Sequence, residues 1–221
     1  MMDKKLRLAV LLSGSGTTLQ NFIDRCRAGT LPVEIAVVIS SRKDAYGLVR
    51  AKEAGIPAFA VPSKKHANWE EHSRAVTEIL DRFKPDLLAM AGYMCLYVIP
   101  AQYQGKVMNI HPALIPAFCG KGFYGHTVHE KVLEYGVRVT GCTVHYVDNE
   151  YDHGAIILQR VVTVCSDDTP ETLAERVLAE ERIAYPEAIR LYAEGRLRTE
   201  GRRVKVLGGK WTPTSLCGLG D

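Results

Sequence analysis

Two residues with complementary chemistry stand two positions apart in Met108-Asn109-Ile110-His111-Pro112, at the end of an apolar run. Alternate residues of a strand share a face and rise about 3.3 Å each, so Asn109 and His111 are expected to project side by side. Pro112 has no N–H for a ladder and stops the strand there. An amide donor beside a titratable imidazole at a strand's carboxyl end suits acyl-type chemistry. One group can hold a developing oxyanion while the other manages protons. Such a base needs an orienting third group, and Asp152, in the turn Asn149-Glu150-Tyr151-Asp152-His153-Gly154, offers a carboxylate to hold the imidazole charged. The plain alternative is a strand-end histidine that is simply hydrogen-bonded. The trio points to an enzyme.

A second motif, Gly14-Ser15-Gly16 followed by Thr17 and Thr18, comes after the first apolar run. Backbone N–H groups at such a turn, with a helix N-terminus behind them, favour an anion. The dinucleotide fingerprint is incomplete, because Leu19 takes the place of its third glycine and the second strand runs into Ser40-Ser41-Arg42, not an acidic ribose ligand. No Gly-Lys-Ser/Thr closes the turn, which excludes a P-loop. Monophosphate binding, a structural tight turn and a dinucleotide site stay open on these residues. His126-Thr127-Val128-His129 has a spacing that metal sites use, yet no nearby Cys or carboxylate pattern completes one, so a helix start or substrate loop is expected. Arg196, Arg198, Arg202, Arg203 and Lys205 read as a solvated basic tail.

The elements that must position these residues follow from periodicity. Leu6 to Leu12 is a nearly continuous apolar run, and Leu19, Phe22, Ile23 and Cys26 then recur at helical spacing: strand, glycine turn, helix. A strand over 35–39, a helix over 47–54 and a brief strand over 59–61 come next. A helix from Trp69 to Phe83, ended by Lys84-Pro85, precedes strands over 87–91 and 107–111. This alternation predicts an α/β fold: a Rossmann-like, mostly parallel sheet with helices on both faces and its site beyond the strands' carboxyl ends. The loops after Leu12 and Ala91 and the Asn109/His111 pair would share that edge. Then the pattern changes. Runs over 140–147 and 156–164, joined by the turn 148–154, predict a C-terminal antiparallel β extension. Thr169-Pro170-Glu171 reads as an N-cap with proline opening a long helix. Gly195, Gly201 and Gly208-Gly209 then break up the basic tail.

With 221 residues, 47% hydrophobic and 24% charged, the chain can bury a substantial core as one domain, expected over 1–200, with a tail over 201–221. A net charge of +3 with basic residues scattered except near the C-terminus does not suggest a nucleic-acid binder, while small anionic substrates remain compatible. The six cysteines (Cys26, Cys95, Cys119, Cys142, Cys165, Cys217) show neither C-x-x-C pairs nor zinc-like spacing and are expected to be free, buried thiols of a reducing compartment. No apolar segment is long enough for a signal h-region or a span. The expectation is a soluble, cytoplasmic protein without a membrane partner.

Taken together, Leu11-Leu12-Ser13-Gly14-Ser15-Gly16-Thr17, Ala91-Gly92-Tyr93-Met94, Asn109-Ile110-His111-Pro112-Ala113-Leu114-Ile115-Pro116 and the turn from Asp148 to Gly154 closely resemble the folate-dependent formyltransferases, over about Leu6 to Arg203. The Ser-Gly-x-Gly loop, Ser41 to Gly47 and Glu181 to Pro186 resemble the phosphoribosylglycinamide formyltransferase branch, which serves purine synthesis. The resemblance implies a phosphate-binding half over about 1–105 and a folate and catalytic half over about 106–200. It implies Asn109, His111 and Asp152 as catalytic trio. Gly14, Ser15, Gly16, Thr17 and Thr18 would hold the substrate's phosphate, and Glu181 would contact the substrate. Met94, Cys95, Leu96 and Tyr97 would line the folate pocket, with Asn109 and the covering loop Asp148, Asn149, Glu150, Tyr151 and Asp152. The co-substrate implied is 10-formyltetrahydrofolate, with glycinamide ribonucleotide as acceptor, no metal, and a monomer or homodimer.

Cys95 stands where many relatives carry arginine, His153 replaces a residue that is usually small or uncharged, and the loop 119–125 is longer than in the shortest relatives. The nearest rivals are a formyltetrahydrofolate hydrolase and a sugar-nucleotide or methionyl-tRNA formyltransferase. Both the tRNA enzyme and the hydrolase are expected to carry a further domain that this length does not supply. From another class, a nucleotide-binding Rossmann module or a NAD-dependent oxidoreductase would use the glycine turn, against which the missing glycine at Leu19 argues.

Overall fold

The computed structural model describes residues 5–208. Cys217 and the tail beyond residue 208 lie outside the described residues. The chain divides into two compact units: residues up to Ile110 with Tyr146–His153, and His111–His145 with residues from Gly154 on.

The first unit is built around β1 (Leu6–Leu12), whose Leu8 to Leu12 are fully buried. Burial on both faces is what a continuous apolar run requires, and it places β1 inside a parallel sheet. α1 (Thr17–Arg27) turns Leu19, Phe22 and Ile23 inward, and leads to β2 (Val33–Ser40). α2 (Tyr46–Glu53), β3 (Ala58–Ala60), α3 (Trp69–Phe83), β4 (Leu87–Met90) and β5 (Val107–His111) follow. The strand order is β3-β2-β1-β4-β5, all parallel, with Val10 opposite Val38 and Ala89, and Met90 opposite Asn109. α3 starts where the Asn68 side chain accepts the Glu71 N–H and stops at Lys84, which takes a left-handed conformation before Pro85. Its Val76 and Leu80 pack with Leu11, Ile39, Leu88 and Met90.

The second unit contains α4 (His126–Tyr135), nearly all of β6 (Val139–Tyr146), β7 (Ile156–Thr163), α5 (Pro170–Ala193), β8 (Leu197–Glu200) and β9 (Arg203–Val206). β6 and β7 pair antiparallel, as the short connection predicts. α5 opens on Thr169, whose side chain accepts the Thr172 N–H while Thr172 answers to the Thr169 N–H, with Pro170 first in the helix.

One expectation needs correcting and one gains detail. The basic residues Arg198, Arg202, Arg203 and Lys205 are exposed, as expected, and they lie on a hairpin: β8 and β9 pair antiparallel, turning at Gly201, and β9 pairs with β7 through Ile156 and Arg203. Arg196 pairs with Glu194, Arg198 with Glu200 along β8, and Lys205 with Glu200 across the hairpin, so acids beside the basic residues offset the charge run. The described cysteines are free, but of these only Cys142 is buried; Cys26, Cys95 and Cys119 are half-buried and Cys165 is exposed. No helix among the described residues is long and apolar enough to cross a membrane.

Candidate active site

In the first unit the chain winds outward from β1 through β2 to β3, then returns to the other flank of β1 to lay down β4 and β5. Parallel sheets bind ligands outside the strands' carboxyl ends at such a reversal. The loops leaving β1 and β4 flank it, and they are tied together. Ser13, just past β1, accepts the Met94 N–H on its Oγ at 2.8 Å, and that Oγ lies 2.6 Å from the Ser41 hydroxyl past β2. Ser13 and Ser41 are both buried.

The glycine turn is shaped by contact with α2. Gly16 caps α1 with φ +71°, and a Cβ there would come 2.6 Å from the Gly47 Cα. The Gly47 N–H donates to the Gly14 carbonyl at 3.1 Å. No side chain caps α1 and no acid sits in its first turn, so its leading N–H groups keep their affinity for an anion. Ser15 is exposed, and Thr17 and Thr18, half-buried, open the helix.

At the carboxyl end of β5, Asn109 is half-buried and its Nδ2 donates to Asp152 Oδ1 at 3.5 Å. Asp152 holds φ +51°, a left-handed conformation that aspartate tolerates better than most residues. The turn around it is knotted by its own side chains. Asp148 accepts the Glu150 N–H at 2.9 Å and pairs with His153 Nδ1 at 2.8 Å, while Asn149 Oδ1 accepts the Ile99 N–H at 3.0 Å. Tyr151 stands exposed. Of the segment after β4, Met94 is exposed and Cys95 and Leu96 are half-buried. Tyr97 is buried in the core with its hydroxyl on Thr77 at 2.8 Å, so its side chain serves packing.

His111 is 3% exposed, and its Nε2 donates to the Phe118 carbonyl at 2.8 Å. Because a carbonyl only accepts, Nε2 carries hydrogen, and further protonation takes place at Nδ1. His129, on α4, is also buried; burial first, then the charges of His126 and His111, push its pKa down to about 4. His126 opens α4, matching the expected helix start. Among the described residues no group of three or more His, Cys, Asp or Glu is placed to hold a metal ion. Glu181, on α5, has its carboxyl pushed up to about 7 by burial. It contributes in turn to raising the Cys142 thiol, after burial itself.

Sequence reading missed Phe118, Ser13, Ser41 and Gly47 as supports of the site. A carbonyl that grips an imidazole has no residue-type signal; Ser13 and the Ser41 to Gly47 stretch are marked only by resemblance.

The chain matches the formyl transferase family over residues 6–189. It is 40% identical over 211 residues, 95% of this chain and 97% of the relative, to the phosphoribosylglycinamide formyltransferase of Haemophilus influenzae. It is 42% identical over 197 residues to the trifunctional purine biosynthetic protein adenosine-3 of Gallus gallus, covering 88% of this chain but spanning only 19% of that relative. Among solved structures, the glycinamide ribonucleotide transformylase 1 of Symbiobacterium toebii superposes with a TM-score of 0.85 at 46% identity, covering 92% of this chain and 95% of that one. The chain belongs to the formyl transferase family.

Proposed function

We propose that this protein transfers the formyl group of 10-formyltetrahydrofolate to the amine of glycinamide ribonucleotide, a step of purine synthesis. The observation that carries the reading is the Asn109 amide set against Asp152 at the end of β5, with His111 two residues on, in a chain of this family. It acts on small molecules, and we read it as cytoplasmic and as a monomer or homodimer.

In the proposed reaction the amine lone pair attacks the formyl carbon and forms a C–N bond, giving a tetrahedral oxyanion. Asn109, whose Nδ2 donates to Asp152, would donate to that oxygen through its side-chain amide. His111, protonated at Nδ1, supplies the second donor and positive charge. Asp152 favours the charged imidazole and takes part in moving the proton that the amine loses. The bond from the formyl carbon to the folate nitrogen then breaks, that nitrogen takes the proton, and tetrahydrofolate and the N-formyl product leave. Gly14 to Thr18 would hold the phosphate, Glu181 the amine-bearing part of the acceptor, and Met94 to Tyr97 with Asp148 to Asp152 the folate.

An absorbance assay of 10-formyl folate consumption, with and without glycinamide ribonucleotide, tests this, using His111→Ala as control. Turnover that needs the ribonucleotide and disappears in the variant is expected. Turnover without the ribonucleotide would identify a hydrolase, and failure with this acceptor but success with an amino sugar nucleotide would move the protein to that branch.

A further inference from the structure

Several arginines in this protein neutralise carboxylates. Arg7 pairs with Glu34, Arg42 with Asp44, Arg160 with Glu180, Arg176 with Asp168 and Arg190 with Glu187 and Glu194. Arg50 is different. It projects from α2, and its Nε donates to the Ser15 carbonyl at 2.9 Å while Nη1 donates to the Gln20 side-chain carbonyl at 3.0 Å. Its guanidinium carbon lies 4.9 Å from the centre of the Tyr46 ring. Both hydrogen-bonding partners are neutral oxygens, and among the described residues no carboxylate pairs with it. Nη2 makes no hydrogen bond to any described residue.

The position of this charge is set by three contacts of α2 on the glycine turn. The Gly47 N–H holds the Gly14 carbonyl, the Gly47 Cα fills the space where a Gly16 side chain would be, and Arg50 holds the Ser15 carbonyl. Consecutive carbonyls are thus drawn toward α2. Peptide units are rigid, so pinning a carbonyl also fixes the direction of the N–H on the far side of the same peptide. For the Ser15 carbonyl that N–H belongs to Gly16, the cap of α1. A guanidinium stacked on an aromatic ring and forked onto two oxygens has few ways to move, and it is half-buried, where its charge is less screened than in water.

We propose that Arg50 is a positioning and specificity residue for the phosphate monoester of the acceptor: it sets the Gly14 to Gly16 turn for anion binding and supplies a standing positive charge that favours the phosphate dianion. This rests on the transferase reading above for the identity of the acceptor, but the anion site is testable without it. The charge belongs to ground-state binding of a group remote from the reacting amine. Its loss therefore raises KM for the ribonucleotide and leaves kcat and the folate KM nearly unchanged.

The experiment combines steady-state kinetics with calorimetric titration of inorganic phosphate, on the wild type, Arg50→Met, Arg50→Lys and Gln20→Ala. Losing a charge-assisted contact is expected to weaken phosphate binding and raise the ribonucleotide KM by about tenfold or more in Arg50→Met. Arg50→Lys is expected to recover part of both, because the charge returns without the fork, and Gln20→Ala to fall between. The wild type is expected to bind phosphate more tightly as pH rises through the second phosphate ionisation, near pH 6 to 7, with Arg50→Met losing most of that preference; a residue that only shaped the loop would leave it intact. Unchanged phosphate affinity and KM in a folded Arg50→Met protein would overturn the proposal. Should that variant fail to fold, Gln20→Ala and Arg50→Lys decide by the same two measurements. Weaker phosphate binding in the variants of a protein that transfers no formyl group would keep the anion site and overturn the transferase reading alone.

Discussion

Ser13 Oγ accepts the Met94 N–H at 2.8 Å, joining the turn that leaves β1 to the segment that leaves β4. One hydroxyl therefore holds both the expected phosphate loop and the expected folate-lining segment, and Ser41, 2.6 Å away, holds the hydroxyl. Ser13→Ala takes the acceptor from the part-buried Met94 N–H, which costs about 0.5–1.5 kcal/mol. Urea unfolding is expected to show that loss, and kinetics to show KM raised for the ribonucleotide and the folate together. A rise in one KM alone would mean that the two loops are set independently.

Asp152 sits in a left-handed conformation that asparagine also accepts, so Asp152→Asn changes charge and leaves the turn in place. The variant is expected to lose about 100-fold or more in kcat with KM within a few-fold, because the carboxylate matters to the charge that develops in reaction. Stopped-flow single turnover checks it; near-normal turnover would remove Asp152 from the mechanism.

Two glycines of the same turn are expected to respond differently. A Cβ on Gly14 meets nothing within 4 Å, whereas one on Gly16 meets the Gly47 Cα at 2.6 Å with φ at +71°. Gly16→Ala is expected to destabilise by about 1–3 kcal/mol through strain and backbone displacement and to weaken phosphate binding. Gly14→Ala is expected to keep its stability. Thermal melts and phosphate titration of the two variants make the comparison.

His129 gives stability a pH dependence of known sign. Burial holds its folded pKa at about 4, below the unfolded value near 6.5, so the unfolded chain takes a proton that the folded one refuses. The contribution is fully present above about 6.5, declines as pH falls toward 4, and declines no further below that. Glu181, with its carboxyl raised to about 7 by burial, works in the opposite sense: its contribution is present below the ordinary carboxylate range and is lost as pH rises through 7. Urea midpoints from pH 4 to 8 are expected to show a shallower acid limb in His129→Gln and a shallower alkaline limb in Glu181→Gln.

What the chain's own order of residues determined was local. The apolar run of β1, the helical spacing of α1 and α3, the Thr169-Pro170 start of α5 and the placement of Asn109 and His111 on one strand all depend on neighbours a few positions away, where backbone geometry is periodic. The basic run after Gly195 reads as a solvated edge for the same reason, without its strands. Its strands exist because each pairs across Gly201 and β9 finds β7, and no period within four residues records that. Tertiary structure decided which groups meet. Asp152 reaches Asn109 from 43 positions away, Met94 reaches Ser13 from 81, and Arg50 reaches Ser15 from 35. It also gave His111 a carbonyl partner, exposed Cys165 and buried Cys142. Burial and long-range hydrogen bonds depend on how elements pack, and packing is settled only once the whole chain has closed around its core.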